Sequence, residues 1–157
     1  MILLDTSVIL ESLKPRGDPA LVAWLDAQVL ETLYLCTISV AELRYRIAVM
    51  PIGEKKEKLR SSMEDRVLPL FRSRILSFDL EAAEACAELR ARARTAGKDI
   101  CTADSCIAAI AAAKGFTLAT RDIFETSGVQ VVNPWQYAGP IGEEAEMAPQ
   151  FFDESRR

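Results

Sequence analysis

Four carboxylates, Asp5, Glu42, Asp104 and Asp122, stand where a chain of alternating strands and helices would gather them. Asp5 closes an apolar run at the start of the chain. Glu42 falls in the first turn of the helix after a second run. Asp104 falls in the first turn of the helix before a fourth run, and Asp122 follows that run directly. Brought together, such acids repel and raise one another's pKa unless a cation joins them. A site with oxygen ligands alone favours Mg²⁺ or Mn²⁺. It can hold an attacking water and stabilise charge on a phosphoryl group without an imidazole. Each acid also has a structural reading. Asp5 suits a helix cap before Thr6-Ser7, and Ser39-x-x-Glu42 fits a capping box. Asp104 follows Thr102, a candidate N-cap, where negative charge favours the helix dipole. Asp122 suits a turn. Four acids at one sheet end are less easily explained by caps alone.

Other chemistry is narrowed by composition. The chain has no His, which excludes Ser-His-Asp hydrolases, Cys-His proteases and HExxH zinc enzymes. Cys36, Cys86, Cys101 and Cys106 form no CxxC pair. Without His, a zinc site would need all four, so they read as buried small hydrophobes.

The elements that position the acids follow from periodicity. Ile2–Leu4, Leu33–Ser39, Ile75–Phe78, Thr117–Thr120 and Val129–Val132 are short and mostly apolar, as buried parallel strands are. Helical stripes lie between them. Leu21, Trp24 and Leu25 mark one helix, and Leu43, Ile47 and Met50 another, closed by Pro51. Residues 53–66 read as a charged helix interrupted before Pro69. Ala82, Cys86, Leu89 and Ala93 stripe a helix from Asp79 to near Gly97. Thr102–Lys114 is rich in Ala and Ile and is stopped by Gly115. The alternation predicts an α/β fold, a parallel sheet with helices on both faces. Ligands bind such sheets beyond the carboxyl ends of the strands, at the switch in strand order. If that order is 3-2-1-4-5, strands one and four flank the switch and bring Asp5 beside Asp122.

The 157 residues suit one domain, with 50% hydrophobic and 27% charged. No apolar run approaches the length of a membrane span. The first residues show no basic stretch of a secretory signal, so the expected location is cytoplasmic. The net charge of −4 argues against nucleic-acid binding on its face. Much of it, −3, lies beyond residue 137, leaving 17 bases against 18 acids over residues 1–137. The expected division is therefore a domain over 1–137 and an acidic tail over 138–157.

The segments MILLDTSVILE (1–11), TISVAELR (37–44), GKDICTADSCIAAIAAAKG (97–115) and LATRDIFETSGVQVVNPW (118–135) resemble the PIN-domain family. Within it they resemble the VapC toxins. LVAWLDAQVLE (21–31) and VLPLFRSRILSFD (67–79) add a likeness to the FitB-like subgroup. The resemblance spans about 1–137 and rests on the order and spacing of short motifs. It implies a Rossmann-like sheet in 3-2-1-4-5 order and a Mg²⁺- or Mn²⁺-dependent endoribonuclease whose water nucleophile is activated at the metal. It maps the metal acids onto Asp5, Glu42, Asp104 and Asp122, with Thr6 and Thr120 as hydroxyls that hold waters or neighbouring carboxylates. Many relatives read TRNxxDF where this chain reads Thr120-Arg121-Asp122-Ile123-Phe124, so the first acid of that stretch takes the role. The resemblance further implies a homodimer, an antitoxin with a DNA-binding domain, and DNA bound only through that antitoxin. The alternative is a non-catalytic PIN-fold module that dimerises and assembles with the antitoxin on its operator.

Two surface expectations complete the reading. Leu59, Met63, Val67, Leu70 and Phe71 form an apolar stripe that suits either the core or a two-fold dimer. Arg44 and Arg121 each lie within two residues of a site acid and are the candidate contacts to RNA phosphates. Arg46, Lys98 and the Arg90, Arg92, Arg94 triplet are further candidates. Alternate helical positions do not share a face, so the triplet reads better as a solvated surface.

Overall fold

The structure is a computed structural model and describes residues 1–121 and 128–139. Five strands, β1 (Ile2–Leu4), β2 (Leu33–Cys36), β3 (Ile75–Leu76), β4 (Thr117–Ala119) and β5 (Val131–Val132), form one parallel sheet. The order is β3-β2-β1-β4-β5. Ile2 pairs with both Leu33 and Thr117, so β1 is the central strand.

Alternation along the strands divides the interior in two. Leu4, Leu33, Leu35 and Ala119 face one core with Val8, Leu21, Trp24, Leu43, Met63, Val67 and Phe71. Leu3, Cys36 and Leu118 face the other, with Ala82, Leu89, Ile107, Ala108 and Ala111. The first core is covered by α1 (Thr6–Ser12), α2 (Pro19–Asp26) and α3 (Thr37–Ala48). The second is covered by α6 (Leu80–Thr95) and α7 (Thr102–Lys114). Among the described residues no helix is long and apolar enough to cross a membrane.

Several local expectations are corrected. The second strand ends at Cys36 rather than Ser39, and α3 begins at Thr37. The Cys36 Sγ caps that helix, accepting from the Ser39 amide at 3.5 Å. Ser39 is therefore inside the helix and forms no capping box, and Glu42 sits in the second turn. The charged segment α4 (Glu54–Ser61) does not break before Pro69. It runs on through a π-helical stretch (Ser62–Val67) into the short α5 (Leu68–Leu70). The wider turn re-routes backbone bonds, with Leu68 N–H donating to the Met63 carbonyl, and lets the helix continue to a residue that lacks an amide proton. Thr102 is not an N-cap. Cys101 holds that position without a side-chain bond, and Asp104 keeps its first-turn place. The thiols divide: Cys36 and Cys86 are buried, Cys106 is intermediate and Cys101 is exposed.

The stripe on the fourth helical stretch packs within the chain. Met63, Val67 and Phe71 are fully buried in the first core and Leu59 packs against it, leaving Leu70 exposed at the edge. Most of the stripe therefore belongs to the core of its own chain.

Candidate active site

The site lies where the chain leaves β1. The Asp5 backbone amide still belongs to the sheet, donating to the Ala119 carbonyl at 3.0 Å. Its side chain already belongs to α1, because Asp5 is the N-cap and Oδ1 accepts from the Thr6 amide at 2.7 Å. Oδ2 accepts twice, from the Ser7 hydroxyl at 2.7 Å and the Thr120 hydroxyl at 3.0 Å. Thr120 lies just beyond β4, so that bond ties the ends of the two strands flanking the switch in order. Thr6 in turn donates its hydroxyl to Glu42 Oε2 at 2.6 Å, joining α1 to α3. Thr6 and Thr120 thus each hold a carboxylate.

Asp5, Glu42 and Asp104 all line one cavity of about 1570 Å³. They reach it from β1, α3 and α7, which come from separate parts of the chain. Asp122 lies outside the described residues. The lining also carries bases, together with Glu11 and Glu54. The bases include Arg46, Lys55, Lys58 and Arg66, although Lys58 is paired with Glu54 at 2.6 Å. Arg121 also lines the cavity, its guanidinium 4.1 Å from the centre of the Trp135 ring. The Trp135 Nε1 is buried with no hydrogen-bond partner among the described residues. The ring therefore contributes its face, a seat for the cation.

Arg44 is placed elsewhere. It makes a two-pronged pair with Glu64, at 2.8 and 2.9 Å, and does not line the cavity. The pair holds the Glu64 carboxyl below its usual range. Arg92 pairs with Glu88 on its own helix, consistent with a solvated face. Sequence reasoning missed Ser7, Lys55, Lys58 and Arg66. The three bases recur at helical spacing on one charged stretch, which was the available signal. Ser7 gave none, since its role depends on Asp5 turning back as a cap.

The donor set fits a hard cation. Each carboxylate oxygen offers about two lone pairs. Asp5 Oδ1 accepts one bond and Glu42 Oε1 none among the described residues, which leaves both able to take a ligand. No three acids, among the described residues, gather into a ready-made coordination cluster. An ion here would be held by one or two carboxylates with water completing its shell, the habit of Mg²⁺. No cysteine lines the cavity among the described residues, and burial pushes the Cys36 thiol up.

The PIN domain model matches residues 2–123. The chain belongs to the PIN-domain family. Asp5, Glu42, Asp104 and Asp122 all fall inside the matched span. Among relatives of this PIN domain, VapC ribonuclease Y4jK of Sinorhizobium fredii is 49% identical, over 88% of this chain and 100% of its own. Toxin FitB of Neisseria gonorrhoeae is 48% identical, over 86% of this chain and 99% of its own. The solved structure of FitAB bound to a DNA fragment superimposes with a TM-score of 0.81 at 48% identity, covering 86% of this chain and 96% of that one. Both the family and the 3-2-1-4-5 sheet agree with the sequence reading.

Proposed function

We propose that this PIN-domain chain is a metal-dependent endoribonuclease and the toxin of a toxin–antitoxin pair. The observation that carries the reading is the convergence of Asp5, Glu42 and Asp104 on one cavity, two of them held by hydroxyls from other elements. The relatives named as a ribonuclease and a toxin support it. Asp122 supplies a fourth carboxylate in this reading. A bound Mg²⁺ or Mn²⁺ would polarise the scissile phosphate and lower the pKa of water. Asp5 and Asp104 hold that ion, with Glu42 completing the acidic wall. Thr6 and Thr120 fix the carboxylates in place, so little reorganisation is needed when substrate arrives. Arg121, with Arg46 and the bases of α4, meets the RNA phosphates. Arg44 is committed to Glu64.

The proposed assembly is a cytoplasmic homodimer that binds an antitoxin. The FitAB structure, bound to a DNA fragment, supports an assembly that binds DNA, and in this reading the antitoxin makes that contact. With no His to activate a ribose hydroxyl, water is the nucleophile and the products carry 5′-phosphate and 3′-hydroxyl ends. The test is RNA end-mapping with the wild type, Asp5→Asn and Asp104→Asn, each with and without EDTA. Cleavage by the wild type alone, lost in EDTA, is expected. Full cleavage by Asp5→Asn or in excess EDTA would overturn the metal reading, and cyclic phosphate ends would overturn the water nucleophile. A folded, metal-replete wild type that cuts no RNA would leave the non-catalytic assembly module as the better account.

A further inference from the structure

Away from the acids, α6 and α7 bring two thiols together. The Sγ atoms of Cys86 and Cys106 lie 3.9 Å apart. The helices approach closely because their contact is built from small side chains, with Ala82 and Ala93 on one and Ala108 and Ala111 on the other, all buried. Cys86 also donates to the buried Ser105 hydroxyl, which is itself anchored to the Thr102 carbonyl at 2.8 Å. The other thiols are placed differently. Cys36 is engaged with Ser39 at the start of α3, and Cys101 is exposed on the connection between α6 and α7.

We propose that Cys86 and Cys106 form a reversible disulfide site that staples α6 to α7. A disulfide sulfur pair is about 2.05 Å apart, so closure needs a movement of about 2 Å, within reach of side-chain torsions on two helices already in contact. The oxidant is a small disulfide of the glutathione type. Cys106 is the more accessible of the two, but burial and Cys86 push its thiol up to about 11, so closure is slow at neutral pH. Once it loses its proton it bonds to one sulfur of the oxidant as the S–S bond breaks, and the first small thiol leaves with a proton. Cys86 then bonds to the Cys106 sulfur and displaces the second. Two protein thiols lose two hydrogens, and the small disulfide is reduced to two thiols. The staple closes a loop that contains the α6–α7 connection and the first turn of α7, where Asp104 stands. Closing that loop restricts the unfolded chain and raises the melting temperature. The proposal is independent of the nuclease reading.

The test uses the full chain in glutathione buffers of graded ratio, followed by alkylation, intact mass and peptide mapping. Two of the four thiols should become unavailable together, with the Cys86 and Cys106 peptides linked, an upward shift in melting temperature, and reversal by a dithiol. Cys101→Ser should keep the bridge, while Cys86→Ser and Cys106→Ser should abolish it. Because the buried serine could disturb packing, melts of both variants accompany the map, and the wild-type map stands without them. Four alkylatable thiols at a ratio that oxidises the urea-unfolded chain would overturn the proposal. So would a bridge through Cys36 or Cys101, or a glutathione adduct on Cys106 that never resolves.

Discussion

Asn caps a helix about as well as Asp, and this makes Asp5→Asn more informative than an alanine change. The variant keeps an acceptor for the Thr6 amide, and the Ser7 and Thr120 hydroxyls can turn to accept where they now donate. It removes the charge a cation needs. The fold should survive, and without metal its melting point should equal or exceed the wild type, because one repelling charge is gone from the acidic wall. Arg121 poses the opposite question, since its guanidinium has a structural contact in Trp135 and a functional position in the cavity. If it meets a phosphate of single-stranded RNA, Arg121→Ala should reduce the log–log salt slope of binding by about 0.7. Apparent KM should rise. An unchanged slope with unchanged cleavage would assign Arg121 to packing on Trp135.

At the scale of elements, Asp79 joins the ends of two helices. It caps α6 through the Ala82 amide at 3.0 Å and takes an ion pair from Lys114, in the last turn of α7, at 2.8 Å. The Lys114 bond, then the amide, hold its carboxyl below the ordinary value. Its folded pKa is depressed, so the stability it adds is present above the unfolded value of about 3.9. That stability is lost as pH falls through the folded value. In urea melts, the advantage of wild type over Asp79→Asn should be constant from neutral pH to about 5 and shrink below about 4. It is small, because the pair is exposed. A gap that persists unchanged into acid would show that the charge of Asp79 does not carry the contribution. The helices of this region were legible from their stripes, and Ala82, Cys86, Leu89 and Ala93 are all buried as read. Element ends were less legible. Thr37 and Ile38 have strand character, yet a thiol cap starts the helix there, and nothing local to Pro69 announces the π-turn that accommodates it. The places of Asp5 at a strand end and Asp104 in a first helical turn were legible, because each follows a clear break between an apolar run and a helix. The basic lining was not, because its residues come from α3, α4, the π-helical stretch and the chain just past β4, which only the tertiary fold brings to one cavity.

For the whole molecule, one sheet serves two interiors, and Phe71 shows how far the first of them extends. It is fully buried at the end of the long helical stretch, distant in sequence from β1. Phe71→Ala should cost about 3–5 kcal/mol, measured by chemical denaturation. A loss below about 1 kcal/mol would mean that the stretch folds onto the sheet only weakly. A parallel sheet also has a direction. Every strand points its carboxyl end at the acids, so the first residue sits at the far edge, where the Met1 carbonyl accepts from the Thr117 amide at 3.1 Å and its side chain is exposed. Three residues of β1, about 10 Å, separate that edge from Asp5. A purification handle or surface tether joined ahead of Met1 would therefore leave from the back of the molecule. An immobilised chain would present its cavity outward to whatever flows past it.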